Sequence, residues 1–160
     1  MVLGGIVALA APATTAVAHP RPQPLTFERL ATVPAYLNSS VTDTAAAEIS
    51  TVTEDGRTVV YTDSPGERLG FVDITNPARP RPAGTVAVGG EPTSVAHLGD
   101  LLLAAVDPSA SFADPSGKLV VLDARSRAVE RTLDLGGQPD SVAGPEGMAV
   151  TPSVRRSSCV

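Results

Sequence analysis

The sequence has few of the residues that build redox centres, thiolate metal sites and aromatic cores. One cysteine among 160 residues leaves no disulfide to form within the chain. Tryptophan is absent and aromatic residues make up 3%, so large rings can contribute little to a core. The sequence also lacks Cys-x-x-Cys, His-Glu-x-x-His, Gly-x-Ser-x-Gly and a phosphate-binding Gly-rich Lys loop. These absences exclude the catalytic sites that are most readily recognised from sequence.

Positive charge is also scarce. The formal net charge is −5, and the only adjacent basic pair is Arg155 with Arg156 near the end of the chain. Proteins that bind nucleic acid neutralise phosphates with clustered Lys and Arg. We therefore expect no nucleic-acid partner.

The first residues have the composition of an export signal. Residues 2–18 are uncharged and end in Ala-Val-Ala, a small-x-small cleavage pattern. A membrane anchor is the alternative, but the run is interrupted by Pro12 and is short of the about 20 residues that span a bilayer. We expect a signal peptide over 1–18, a secreted protein with no stable membrane span, and a Pro-rich extended linker over 19–26.

A short motif occurs three times, at 48–52 (Glu-Ile-Ser-Thr-Val), 91–95 (Glu-Pro-Thr-Ser-Val) and 138–142 (Gln-Pro-Asp-Ser-Val). The copies are 43 and 47 residues apart, a period typical of β-propellers and solenoids.

Short apolar runs separated by turn sequences follow each of the first two copies. The runs cover 58–61, 69–73 and 85–90 in the first repeat and 101–106, 118–123 and 132–137 in the second. No stretch longer than a turn or two has a helical period. Several short strands per repeat without a helix favour a propeller over a helical solenoid. We predict an all-β chain of short antiparallel strands, a partial β-propeller of about two blades and the start of a third, over 27–143.

Residues 25–143 resemble exported bacterial propellers of the phytase-like esterase group, some of which are labelled alkaline phosphatase. This group overlaps with choice-of-anchor surface propellers and with YVTN and lactonase-like propellers. The resemblance lies in residues 47–50 with 54–57, 72–77, 90–95, 115–120 and 136–142. It implies a hydrolase for esters or phosphoesters. A non-enzymatic propeller that binds protein or polysaccharide is the alternative, because one scaffold hosts many functions.

The repeat pattern stops at Ala143, and residues 144–160 look like an aberrant or disordered tail. A truncation or frameshift near residue 143 is our hypothesis. Closed propellers have 4 to 8 blades, and two blades leave apolar faces exposed. We therefore expect a marginally stable, inactive chain, unless copies associate through the exposed blades.

Repeated acidic residues are the candidate metal ligands. Glu48 and Glu91 take the same place in their motif copies, and Asp140 lies in the third copy. At the start of the innermost strands, such carboxylates would converge on the channel and could bind Ca²⁺, which prefers oxygen ligands. The alternative is that Glu or Gln before Pro and Ser or Thr only satisfies backbone donors of a turn.

Other polar residues are weaker candidates. Asp63, Asp107 and Asp114 are expected in loops, where Asp-Ser-Pro-Gly and Asp-Pro-Ser are ordinary turn sequences. His19 would begin the mature chain and could chelate copper, but it would need a second histidine. The only other one, His97, is expected to be an exposed residue near a turn.

Overall fold

The structure is a computed structural model that describes residues 25–111, 113–144 and 149–152. The predicted signal peptide, most of the linker, His19 and Cys159 lie outside the described residues. The described chain is all-β, as predicted, with one short 3₁₀ helix at Ala35–Asn38. The strands are β1 (Ser50–Val52), β2 (Thr58–Asp63), β3 (Arg68–Asp73), β4 (Arg81–Ala87), β5 (Glu91–Leu98), β6 (Leu101–Asp107), β7 (Lys118–Asp123), β8 (Val129–Asp134), β9 (Pro139–Ala143) and β10 (Ala149–Pro152).

These strands form three antiparallel sheets, each connected in sequence order. Sheet I contains β1 to β4, sheet II contains β5 to β8, and sheet III contains β9 and β10. The first hairpin of each four-stranded sheet turns at a glycine in the left-handed region, Gly56 at φ +70° and Gly99 at φ +57°, a conformation that glycine adopts without strain. Each predicted repeat is therefore one four-stranded meander.

The sheets stack face to face, and the repeat explains how. Val60, Leu69 and Phe71 of sheet I share a buried cluster with Val95 and Leu102 of sheet II. Alternate residues of sheet II face the other way, and there Ala96, Leu103, Ala105 and Leu119 cluster with Val142 of sheet III. Because side chains alternate along a strand, each sheet has a front face toward the preceding sheet and a rear face toward the following one.

The segment before β1 lies across the front face of sheet I. Asn38 Nδ2 donates to the Tyr61 hydroxyl at 2.9 Å and to the Phe71 carbonyl at 2.8 Å, and its Oδ1 accepts from Gly84 N at 2.9 Å. The buried Asp63 carboxylate accepts from Ala46 N at 2.9 Å. Sequence reasoning places the start of the propeller at residue 27, whereas the first strand starts at Ser50. The segment between them forms no strand and is held to the sheet by these side-chain contacts.

The range 144–160, expected as an aberrant or disordered tail, contains one described strand. There β10 pairs with β9, with Val150 opposite Val142. The pairing is antiparallel, and its register shifts between Thr151 and Pro152.

The outer strand of sheet II is exposed along its whole length. Its charged residues Glu130, Arg131 and Asp134 discourage pairing with another strand edge. Among the described residues, no helix is long and apolar enough to cross a membrane.

Candidate functional site

The first strands of the three sheets, β1, β5 and β9, lie side by side and run in the same direction. Near their starts, Ser64 Oγ lies 3.0 Å from the Pro92 carbonyl oxygen, and Thr93 Oγ1 donates to the Pro139 carbonyl at 2.9 Å. Further along, Thr51 Oγ1 lies 3.1 Å from His97 Nδ1. The starts of the three strands therefore share one end of the stack, which we call the strand-start end, and it carries Glu48, Glu91 and Asp140.

A β-bulge marks the start of each of these strands. In sheet II, Pro92 pairs with Val106 and Ser94 with Ala105, which leaves Thr93 as the extra residue. In sheet III the extra residue is Asp140, because Ser141 pairs with Thr151 and Pro139 with Pro152. Bulges redirect side chains and are common next to functional sites.

The bulge in sheet I contains Glu48. Its N–H donates to the Thr62 carbonyl at 3.3 Å, while Thr62 N donates to the Ile49 carbonyl at 2.9 Å, so two residues face one. Glu48 is therefore equivalent to Thr93 and Asp140. The predicted equivalence of Glu48 with Glu91 is wrong by two residues. Ser50 lies opposite Tyr61 and Val95 lies opposite Ala104, the equivalent residue of sheet II. Ser50 is therefore equivalent to Val95, whereas the motif letters align Val52 with Val95.

Two of the three predicted ligands sit at equivalent bulges, and the third does not. Glu48 Oε2 accepts from the Ser64 hydroxyl at 2.6 Å. Glu91 pairs with Asp107 across the ladder. All three predicted ligands are exposed. Within the described ranges, no group of three or more Asp, Glu, His or Cys side chains could hold a metal ion. The described residues do not by themselves fit a calcium site, and calcium binding stays a prediction.

The acids expected in loops have different positions. Asp63 ends β2, is 1% exposed, and accepts from Arg68 Nε at 2.7 Å. Asp107 ends β6 and accepts from Ser109 N at 2.8 Å. Asp114 lies in the loop before β7, as predicted. Asp63 pairs with Arg68, the first residue of β3, and Val106 pairs with Lys118, the first residue of β7. The residue of sheet II that is equivalent to Asp63 is therefore Val106 and not Asp107.

His97 is a half-buried strand residue and not an exposed turn residue. Its contact with Thr51 joins sheet II to sheet I. A histidine in this setting holds two sheets together, and its ring nitrogen is engaged within the protein.

A polar cleft that sequence reasoning missed lies at the opposite end, where the first hairpins turn. It has a volume of about 440 Å³ and is lined by turn residues of both sheets, among them Arg57, Arg125, Arg127, Glu54, Asp55 and Asp100. A hydrogen bond from the Thr53 hydroxyl, with further help from the Arg57 N–H, lowers the pKa of Asp55. Arginines after the Asp-Gly and Asp-Ala turns were the available signal.

An apolar groove of about 480 Å³ lies on the front face of sheet I. Its walls include Val59, Tyr61, Val72 and Ile74 of the sheet and Leu30 and Val33 of the preceding segment, with Glu48 and Ser50 also in contact with the space. The groove is within the size range of small-molecule sites and mostly apolar, as such sites are.

Comparison with known proteins supports the fold alone. No protein-family model matches the chain, and no curated protein matches it. Hydrazine synthase from Kuenenia stuttgartiensis is similar in structure with a TM-score of 0.50 and 22% identity, over 63% of this chain and 26% of that chain. A functionally unknown protein from Desulfotomaculum acetoxidans has a TM-score of 0.51 and 10% identity, over 65% of this chain and 31% of that chain.

The chain therefore spans about a quarter to a third of the length of these two solved chains. At such identities the likeness concerns the arrangement of strands.

Proposed function

We propose that this chain contributes two blades and the inner half of a third to an exported β-propeller, which binds an extracellular ligand at the strand-start end. The support is the stacking of successive four-stranded meanders through front and rear faces. Radial repetition of four-stranded sheets is how propellers protect their edges. Further sheets of the same kind would complete the ring.

The single observation that carries the ligand site is the row of equivalent bulges at Glu48, Thr93 and Asp140. In a ring, equivalent positions of the innermost strands recur around the central channel. Carboxylates and a hydroxyl at such positions can bind cations or donate to and accept from a polar substrate.

Hydrolysis of an ester or phosphoester in the complete ring is the first candidate activity, and it rests on the family resemblance. Non-enzymatic recognition of a protein or polysaccharide is the second. The second needs only a polar surface at the strand-start end, which Glu48, Thr93 and Asp140 provide. In either case this chain alone is expected to catalyse no turnover.

Titration with phenyl phosphate, with and without calcium chloride, tests the site in the isotopically labelled chain. We expect amide shifts at residues 48, 91, 93 and 140, which Glu48→Gln and Asp140→Asn weaken. Glu130→Gln, on the exposed outer strand β8, is the matched control and should leave the shifts unchanged. Shifts confined to the cleft at Arg57 and Arg125, or to the groove residues Val59 and Val72, would contradict the proposal.

Release of 4-nitrophenol from 4-nitrophenyl phosphate by the complete ring, rather than by this chain alone, separates the two activities. A calcium-dependent rate that Glu48→Gln abolishes and Glu130→Gln preserves supports hydrolysis. Binding at the strand-start end without any turnover by the ring-forming protein supports recognition.

A further inference from the structure

The two end faces of the stack carry exposed residues at positions that are buried inside it. On the front face of sheet I, Ser50 is exposed, whereas its equivalents Val95 and Val142 are 4% and 6% exposed. On the rear face of sheet III, Ala143 is exposed, whereas its equivalent Ala96 is 9% exposed. We call the first surface the β1 strip (Ala47, Ser50 and Val59) and the second the β9 strip (Asp140, Ser141 and Ala143).

These strips match each other because their equivalents already pack together. Ala96 and Val142 belong to one buried apolar cluster between sheets II and III. In the same seam, Thr93 Oγ1 donates to the Pro139 carbonyl at 2.9 Å, and Ser94 Oγ lies 3.5 Å from the Val142 carbonyl oxygen. Placing a β1 strip on a β9 strip would repeat this seam with Ala143 on Ser50.

The segment that crosses sheet I leaves the β1 strip accessible along one side of the apolar groove, whose other side carries Leu30 and Val33. Its 3₁₀ helix contacts β3 and β4, whereas the seam between sheets I and II is made by β5 against β1, β2 and β3. The equivalent of β5 is β1. Ala47 and Ser50 are exposed there, and Val59 is half-buried.

We propose that copies of this chain associate head to tail, with the β1 strip of one copy packed on the β9 strip of the next. Such contacts use two different surfaces, so they are heterologous and build a ring if the rotation closes or an open row if it does not. The inference depends on the stacking of the sheets and not on ligand binding.

One charge weakens this contact and provides its test. Asp140 takes the place of Thr93, whose hydroxyl donates to the Pro139 carbonyl. The carbonyl in the equivalent place on the β1 strip is that of Ala47. A carboxylate only accepts hydrogen bonds, so Asp140 would face that carbonyl without a proton to donate. Asp140→Thr with Ser50→Val recreates the internal seam at both positions.

Sedimentation velocity over a concentration series measures the association. We expect the double variant Ser50→Val/Asp140→Thr to have a dissociation constant at least about tenfold lower than the unaltered chain, equivalent to about 1.4 kcal/mol. Glu130→Thr, outside both strips, is the control and should not change it. A double variant that associates no more tightly than the control would overturn the proposal. Because Ser50, Glu130 and Asp140 are exposed, the double variant and the control should both fold.

Cross-linking determines which surfaces meet. In a Cys159→Ser background, Ser50→Cys and Ala143→Cys chains are prepared separately and then mixed under mild oxidation. Disulfides need Cα atoms within about 7 Å, so a head-to-tail seam gives dimers in the mixture far faster than in either variant alone. Dimers of Ser50→Cys alone, or equally fast dimers with the exposed loop variant Ala110→Cys, contradict the heterologous contact. If phenyl phosphate caused no amide shifts, the ligand-binding proposal would fail, but the cross-linking result would still stand.

Discussion

Adding one methyl group at Gly70 should disturb the front face of sheet I more than its size suggests. Gly70 pairs directly with Tyr61 in the ladder. A Cβ at Gly70 would lie 2.0 Å from Tyr61 Cζ and 2.4 Å from its hydroxyl oxygen, whereas non-bonded carbons prefer about 3.5–4.0 Å. The tyrosine ring, which is 4% exposed, would have to leave its place over the glycine.

The expected loss follows from two contributions. Overpacking of a filled site costs about 1–3 kcal/mol. Moving the ring also breaks the hydrogen bond from Asn38 Nδ2 to the Tyr61 hydroxyl at 2.9 Å, worth about 1 kcal/mol. We expect Gly70→Ala to lower the free energy of unfolding by about 2–4 kcal/mol, measured by urea denaturation followed by far-ultraviolet circular dichroism in dilute protein. Gly137→Ala is the control, because a Cβ there meets nothing within 4 Å.

The equivalent residue pair in sheet II indicates a second substitution that should compensate for the first. The pair equivalent to Tyr61 and Gly70 is Ala104 and Val120, so a large and a small residue are exchanged between the sheets. The double variant Tyr61→Ala/Gly70→Val should be more stable than the sum of its single variants by about 1–3 kcal/mol. Equal urea midpoints for Gly70→Ala and Gly137→Ala would refute the close approach, and additive losses in the double variant would refute the equivalence of the two pairs.

Three further predictions concern the turns. Hydrogen bonds from the Ser126 N–H and hydroxyl and the Arg125 N–H lower the pKa of Asp123 from its ordinary value of 3.8. The stability that this turn contributes is therefore present above about pH 4 and is lost as the pH falls through the lowered pKa. Asp123→Asn should reduce the fall of the urea midpoint as the pH is lowered. Glu67 is exposed at φ 51°, so Glu67→Gly should raise stability by about 0.5–1 kcal/mol in thermal unfolding, and an unchanged or lower midpoint would contradict this. Arg127 has a similar φ of 62°, but Arg127→Gly should lower stability by about 1–2 kcal/mol, because the guanidinium lies 4.3 Å from the centre of the Phe71 ring and donates to the Ala83 carbonyl.

The strands could be predicted from the sequence because each carries its own local signal. Apolar runs such as 101–106 and 118–123 end at turn residues, and both are strands in the structure. The Asp residues that close the second runs, Asp73 and Asp123, hold the turns that follow. Asp73 accepts from Thr75 N at 2.8 Å and Asp123 from Ser126 N at 2.6 Å.

The register of the first strands could not be predicted, because a bulge adds a residue without leaving a sequence signal. Aligning the sequence motifs makes Glu48 equivalent to Glu91, whereas the strand register makes it equivalent to Thr93 and Asp140. The segment before β1 was missed for a related reason. Its stability comes from Asn38 and Asp63 contacts between residues far apart in sequence, and residues 27–49 carry no periodic pattern that would place them on the sheet.

The polar residues of the repeats have one physical role in common, and this role limits what the strand-start end can do. Thr51, Ser64, Thr93 and Ser94 each place a hydroxyl near a polar atom of the following sheet. At the first two bulges the seam is made by Ser64, which donates to Glu48, and by Thr93 itself. Only a bulge residue without such a contact is free to act on a ligand. Among the described residues Asp140 best meets that condition, since it is exposed and takes the place of Thr93. Association of copies and ligand binding thus compete for Asp140, and raising the protein concentration should reduce the phenyl phosphate shifts at residue 140 while leaving those at Glu91 unchanged.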